Sequence, residues 1–414
     1  MKNMIFVVIT LLLMSCTKDW CYEYGQRKEY DNQIKACTAD IQSGQANPYI
    51  SYTRRGVAYW RTGQYDQAIA DCTTAIDLNQ HYVLAYVNRG IAYTSKGQYD
   101  QAIADYNKAI DLDRFNDKTY VNRGNAYLKE KRYDQAIIDY TRAIDLNPNY
   151  DANYAYCGYA FLQKGQYDRA INDCTKAIEL NPKNDEAFVN RGYSFLQKGQ
   201  YDRAIDDFTQ SIEVNPKYDL AYIKRGDAYS KKEQYDQAIA DYTKAIELNT
   251  KYDVVYIIRG NIYAKKKLHD LAIADYNKAI ELNPKNDSAY NNRGNEYREK
   301  KQYDQALADY TSAVQLNPEN ARAYNNRGNT YRFKEQYDLA IADYNKAIEL
   351  NPQFNGAYYN LACTYSLQRN AALACTWLQR SIKAGYNDWK NMKTDSDLDN
   401  IRNLPCFKKL LAGR

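Results

Sequence analysis

An interval of 34 residues governs this chain. Arg-Gly recurs at Arg55-Gly56, Arg89-Gly90, Arg123-Gly124, Arg191-Gly192, Arg225-Gly226, Arg259-Gly260, Arg293-Gly294 and Arg327-Gly328, always on one register, and Cys157-Gly158 and Leu361-Ala362 fill the two remaining slots. Ten consecutive copies occupy residues 49–388 of the 414. A copy this short cannot bury its own apolar face, so the copies must stack on one another and share a continuous core. Several independent globular domains, the usual answer for a chain of this length, are thereby set aside.

Each copy is numbered here so that its glycine, or the residue in that slot, is position 8. Aromatic residues at positions 4 and 11 (Tyr52 and Tyr59, Phe188 and Phe195) lie seven apart, on one face of a first helix. A second helix is expected to begin at an aspartate (Asp66, Asp100, Asp134 and their equivalents through Asp338) acting as N-cap, with a tyrosine before it as a hydrophobic staple. Position 20 is alanine in every copy, from Ala68 to Ala374, and with the glycine it lets paired helices approach closely. Leu-Asn-Pro ends five copies, and proline there stops the helix. This order of an aromatic, glycine, aromatic, alanine and proline on a period of 34 resembles the tetratricopeptide repeat. The resemblance implies an all-α fold, a right-handed α-solenoid superhelix of stacked helix-turn-helix units with atypical caps. It implies a protein-binding scaffold, and fold alone does not name the partner.

One departure from that family is systematic. Position 7, usually leucine in these repeats, is arginine in eight copies, and position 23 is aspartate in the same eight, from Asp71 to Asp343. In the tenth copy both charges vanish together, leaving Leu361 opposite Trp377. This covariation points to an interhelical Arg–Asp pair rather than to a basic stripe for an acidic ligand. Cys157 opposite Asp173 breaks the rule.

The ends differ from the array. Lys2 precedes an apolar run, Ile5 to Met14, too short to span a bilayer but suited to an export signal. Leu13-Met14-Ser15-Cys16 resembles a bacterial lipobox, which would make residues 1–15 a signal peptide and Cys16 the lipidated N-terminus anchored in a membrane of the bacterial cell envelope, the outer membrane where the organism has one. An ordinary cleaved signal and a cytoplasmic chain are the alternatives. Residues 16–48 read as an abbreviated capping repeat in which Cys21 and Cys37 align with Gly56 and Cys72. Residues 389–414 read as a helical cap, with Leu398, Ile401, Leu404, Phe407 and Leu410 on its apolar face.

Nothing in the sequence speaks for an enzyme or a cofactor. Recurrent aspartates are accounted for as caps and helix partners, and no phosphate loop, nucleophile elbow or zinc spacing is present. His81 and His269 are far apart, so no metal is expected. With 56 Lys plus Arg against 51 Asp plus Glu, the charge balance gives no nucleic-acid footprint. Eight cysteines follow Cys16. Cys21 with Cys37, Cys157 with Cys174, and Cys363 with Cys375 lie at near-mirror positions across hairpins and could be bonded or free, whereas Cys72 reads as a buried thiol.

In the family, first helices line a concave groove and position 6 projects into it. Position 6 here is Asn88, Asn122, Asn190, Asn292, Asn326 and Asn360; position 9 adds Asn125, Asn261, Asn295 and Asn329, and position 5 adds Asn291 and Asn325. An amide both donates and accepts, so such a row could hold an extended peptide by its backbone. The row resembles the asparagine ladder of the repeat domain of a nucleocytoplasmic glycosyltransferase, whose catalytic domain has no counterpart here. The same residues also read as solvated groove positions copied by duplication. Position 5 lacks the lysine of a carboxylate clamp. The expectation is a protein or peptide partner, with a carbohydrate- or cell-wall-binding adaptor and a cytosolic co-chaperone as alternatives, and with oligomeric state left open.

Overall fold

The computed structural model describes residues 21, 22, 26, 28–44 and 46–412, and it is all α-helical apart from turns. The chain divides into two bodies, Met1–Pro216 and Lys217–Arg414. In the first, helix pairs run Pro48–Arg61 with Tyr65–Leu78, Val83–Ser95 with Tyr99–Leu112, Asp117–Lys129 with Tyr133–Leu146, Asp151–Gln163 with Tyr167–Leu180, and Asp185–Gln197 with Tyr201–Val214. The second holds Asp219–Lys231 with Tyr235–Leu248, Asp253–Lys265 with His269–Leu282, Asp287–Glu299 with Tyr303–Leu316, Ala321–Phe333 with Tyr337–Leu350, and Asn355–Leu367 with Ala371–Lys383. Within each body the hairpins stack as a right-handed solenoid.

Close approach within a hairpin follows from small residues. Position-20 alanines are at most 1% exposed, and the residue at position 24, usually tyrosine, lies flat on the glycine at position 8. A Cβ added to Gly226 or Gly260 would stand 2.8 Å from the ring of Tyr242 or Tyr276, so no larger residue fits without moving that ring. Cys72 and Cys174 fill the same slot beneath Gly56 and Gly158. Both thiols are free and buried, and loss of hydration pushes Cys72 up to about 12.

The turn between paired helices is a Schellman motif: position 15 takes a left-handed φ, and the position-16 amide returns to the position-11 carbonyl, as in Gln64 N to Tyr59 O at 2.8 Å. Gly63, Gly97, Gly165 and Gly199 suit this conformation, whereas Lys131, Glu233, Lys267, Lys301, Glu335 and Arg369 adopt it without being glycine.

The second helix is entered two residues earlier than its sequence suggests. Tyr65 is its first residue, Gln64 is the N-cap, and Asp66 lies inside the first turn without a capping bond. Its carboxylate still faces the positive helix end, and it receives the Lys96 ammonium of the next repeat at 2.5 Å. Lys164 with Asp134, Lys198 with Asp168, Lys266 with Asp236, Lys300 with Asp270 and Lys334 with Asp304 repeat that pairing. The aspartates therefore tie neighbouring repeats at their exposed edge instead of capping. Asn184, Asn286 and Asn320 cap first helices by accepting from the amides of Ala187, Ala289 and Ala323, and Asn370 caps the second helix of the tenth hairpin by accepting from Leu373.

Both ends of the array are covered. Helix Tyr30–Gln42 packs on Pro48–Arg61, and a disulfide joins Cys21 to Cys37. At the other end Trp389–Thr394, a 3₁₀ turn at Ser396–Leu398, Asp399–Arg402 and Pro405–Leu411 fold back over the last hairpin. Met392, Leu398, Ile401 and Phe407 are buried there with Tyr359, Ala362, Cys363, Ala374 and Leu378. Cys375 bonds to Cys406 in this cap, so the candidate pair Cys363–Cys375 is not formed, and Cys157 and Cys174 are likewise unbonded. Register explains the outcome. Cys21 and Cys37 occupy the facing positions 8 and 24, whereas Cys157, at position 7, turns towards Asp173 and Thr141.

Candidate partner-binding groove

Position 7 is the residue that holds first and second helices in register. The Arg259 guanidinium donates through Nε and Nη2 to both oxygens of Asp275, at 2.9 and 2.7 Å, and through Nη1 to Thr243 of the preceding second helix at 2.8 Å. The same fork closes on Asp71, Asp105, Asp139, Asp207, Asp241, Asp309 and Asp343. Its third arm reaches Thr38, Thr73, Asn107, Thr175, Asn277 or Thr311 in the preceding second helix. The expected pair is thus present in all eight copies, and seven of the arginines bridge three helices. Hydrogen bonding to the carboxylate holds Arg293, for example, above its ordinary range. In the tenth copy the apolar replacement is complete: Leu361 is fully buried against Tyr344 and Trp377.

This framework presents the first-helix asparagines, and they are not a free row. Asn125, Asn261, Asn295 and Asn329 each accept, through Oδ1, the hydroxyl of the position-24 tyrosine: Tyr140 at 2.7 Å, and Tyr276, Tyr310 and Tyr344 at 2.8 Å. Burial pushes these phenols well above their ordinary range, so they stay protonated and donate. The remaining asparagines of the second body bond across repeats. Asn292 donates to Asn261 at 3.0 Å, Asn326 to Asn291 and Asn295 at 3.1 Å, and Asn360 to Asn325 at 2.8 Å, while Asn291 donates to Asn292 at 3.2 Å. Asn325 is 8% exposed and the others are half-buried.

Asn291 and Asn292 spend both ends of their amides within the network, and four others keep one end unspent. Tyr310 and Tyr344 claim the oxygens of Asn295 and Asn329, leaving their Nδ2 groups as donors, while Asn326 and Asn360 spend Nδ2 internally and retain Oδ1 as acceptor. The second body therefore carries alternating, orientationally fixed donors and acceptors on a half-buried surface. In the first body Asn122 and Asn190 are half-buried, and Asn88 lines a cavity of about 610 Å3 with Tyr30, Tyr82, Leu84, Arg54 and Arg61.

Further residues belong to this surface although asparagine spacing did not mark them. Arg298, Lys301, Tyr303, Arg332 and Phe333 line a cavity of about 440 Å3 with Asn329 and Asn360, and Phe333 stacks on Tyr303 at 5.9 Å. Positions 12, 13, 15 and 17 of successive repeats meet only after stacking, so no local pattern gives them. Among the described residues one group of possible metal ligands occurs, Cys363, Asp395 and Asp397. Tyr359 donates to Asp395 at 2.7 Å and Arg332 pairs with Asp397, so both carboxylates are already engaged. Cys16 lies outside the described residues, and no described helix is long and apolar enough to cross a membrane.

Comparison with known proteins agrees with this architecture. Tetratricopeptide repeat family models match residues 49–82, 118–150, 185–218, 220–252, 254–286, 275–308 and 321–354, and a TPR repeat model matches 90–131, 158–197 and 294–332. No curated protein matches the chain in sequence. Similar solved structures include YrrB, described as a TPR protein with an unusual peptide-binding site, at 26% identity over 44% of this chain and 95% of that one, with a TM-score of 0.40. MamA is 28% identical over 40% of this chain and 96% of its own, with a TM-score of 0.38. A tetratricopeptide repeat protein from Parabacteroides merdae is 20% identical over 59% of this chain and 97% of that one, with a TM-score of 0.49. The matched repeats span most of residues 49–354, and with the observed hairpins they place the chain in the tetratricopeptide repeat family, as a non-catalytic scaffold for a protein or peptide.

Proposed function

We propose that this protein is an exported, lipid-anchored scaffold of the bacterial cell envelope that grips an extended peptide or assembly partner by its backbone along the first helices of repeats 7 to 10. The observation that carries the reading is the fixed alternation of donors (Asn295, Asn329) and acceptors (Asn326, Asn360), which matches the alternating groups of an extended chain. Amides already oriented lose little freedom on binding, so the surface is preorganised. The neighbouring cavity, where Arg298 pairs with Glu299 and Lys301 lies beside Tyr303 and Phe333, adds one place for a side chain and a bias towards aromatic residues.

Export is supported by the Ile5–Met14 run before Cys16 and by the two terminal disulfides, which persist in oxidising compartments.

Screening the mature chain against a peptide array, then titrating the best ligand against a variant with Asn295, Asn326 and Asn329 changed to alanine, tests the groove. Affinity is expected to fall at least about tenfold with the helical signature unchanged, and equal affinities would remove the assignment. For the anchor, lipid labelling in a bacterial host should be lost in Cys16→Ala and the precursor should accumulate with globomycin.

A further inference from the structure

Repeat 4 departs from its neighbours at one point. Where eight repeats carry an arginine at position 7, this one carries Cys157, yet every group that receives the arginine elsewhere is retained. Asp173 stands at position 23, Thr141 at position 25 of the preceding repeat, and Tyr154 and Phe161 at the flanking aromatic positions 4 and 11. In the other repeats this combination holds a guanidinium by a bidentate carboxylate contact at 2.6–2.9 Å, a bond to threonine or asparagine, and rings 5.4–6.0 Å from the guanidinium carbon. Eight internal copies therefore define what the cradle binds, and the fork geometry of the contact selects guanidinium over ammonium.

Exposure indicates that the cradle in repeat 4 is open at its carboxylate, above a buried Cys157. The paired aspartates are only 2–6% exposed, whereas Asp173 is half-buried, so loss of the long side chain admits solvent to its carboxylate. The thiol that replaces it lies buried against Asp173 and Thr141 and brings no positive charge. Arg169 does not substitute. It sits on Phe161 as Arg203 sits on Phe195 in repeat 5, where Arg191 still holds Asp207, and its Nη1 is bonded to Gln166.

We infer that Asp173, Thr141, Tyr154 and Phe161 form a guanidinium-binding slot, left open by Cys157, that receives an arginine side chain from a partner polypeptide. The slot completes in trans the fork that the other repeats complete within the chain. It is independent of the asparagine surface and lies wholly in the first body.

The test compares argininamide, lysinamide and the capped peptide acetyl-Gly-Arg-Gly-amide on the full chain, by thermal shift and calorimetry. Argininamide and the peptide are expected to raise the melting temperature saturably, and lysinamide at the same concentration is not. Asp173→Asn removes an unpaired half-buried charge and should still fold, with argininamide affinity lowered at least about tenfold by loss of the charged acceptor. Cys157→Arg supplies the internal guanidinium and should abolish binding while raising the starting melting temperature. Cys157→Ala keeps the slot and should bind like the parent, which separates the cradle from thiol chemistry. No preference for argininamide over lysinamide, or equal binding by the parent and Cys157→Arg, would overturn the inference. Binding of argininamide without the peptide would overturn the assignment to a polypeptide partner.

Discussion

The Arg–Asp fork is the unit of specificity at the residue scale. Arg259→Ala strands the Asp275 carboxylate, 5% exposed, and removes the bond that Thr243 accepts. The expected loss is about 3 kcal/mol in urea unfolding, at the low end for a broken buried pair because the Arg259 side chain keeps some contact with water. Changing both Arg259 and Asp275 to leucine should recover most of that loss, as Leu361 against Trp377 already does in repeat 10. Repeat 4 gives a pH-dependent counterpart. A carboxyl raised in the folded state favours proton uptake by the folded chain, so the parent gains stability as pH falls through the raised value of Asp173. Asp173→Asn lacks that group, so the parent should gain on this variant in melting temperature as pH falls; a constant difference across the titration would show that Asp173 is not the group involved. The fork was legible in the sequence because its two partners change together. A second covariation of the same kind passed unnoticed: position 9 is Asn or Asp where a position-24 tyrosine donates to it (Asn125, Asp227, Asn261, Asn295, Asn329), and Val57 or Tyr159 where that slot is cysteine. Those asparagines looked like groove residues alone, whereas half of each amide serves the core.

At the scale of the helix and its turn, six repeats place a non-glycine residue at a left-handed φ. Lys267 is one of them, at φ 58°. Lys267→Gly should stabilise the chain by about 0.5–1 kcal/mol, the relief of that conformation less the extra freedom of glycine in the unfolded chain. Thermal melts of Lys267→Gly beside Gly199→Ala, where the sign reverses, would check it. Helix existence and length followed from aromatic and alanine periodicity, but the start of the second helix did not. Aspartate before an apolar run is a usual capping signal, and here the Schellman turn delivers the chain so that Gln64 and Tyr65 enter first and Asp66 is already helical. The carboxylate is used by a lysine thirty residues on, a contact that exists only once repeats stack.

For the whole molecule, a stacked array gives each hairpin contacts with its neighbours only, so unfolding should begin where a neighbour is missing. The caps occupy those places, and the chain staples both. The tail's apolar spacing was visible before folding, but Cys375–Cys406 was not, because that bond depends on the tail folding back across the last hairpin rather than on any repeat register. Replacing Cys375 and Cys406 with serine removes a link across a sequence separation of 31 residues. The local cost should be about 2–4 kcal/mol, confined to the end it closes. Hydrogen exchange read by mass spectrometry should show lost protection in 389–411 and in the Asn355–Leu367 and Ala371–Lys383 helices, with 219–282 retaining parental rates. If protection instead falls equally along the second body, the repeats unfold as one cooperative block, and the nearest-neighbour picture fails even though every hairpin is correctly described.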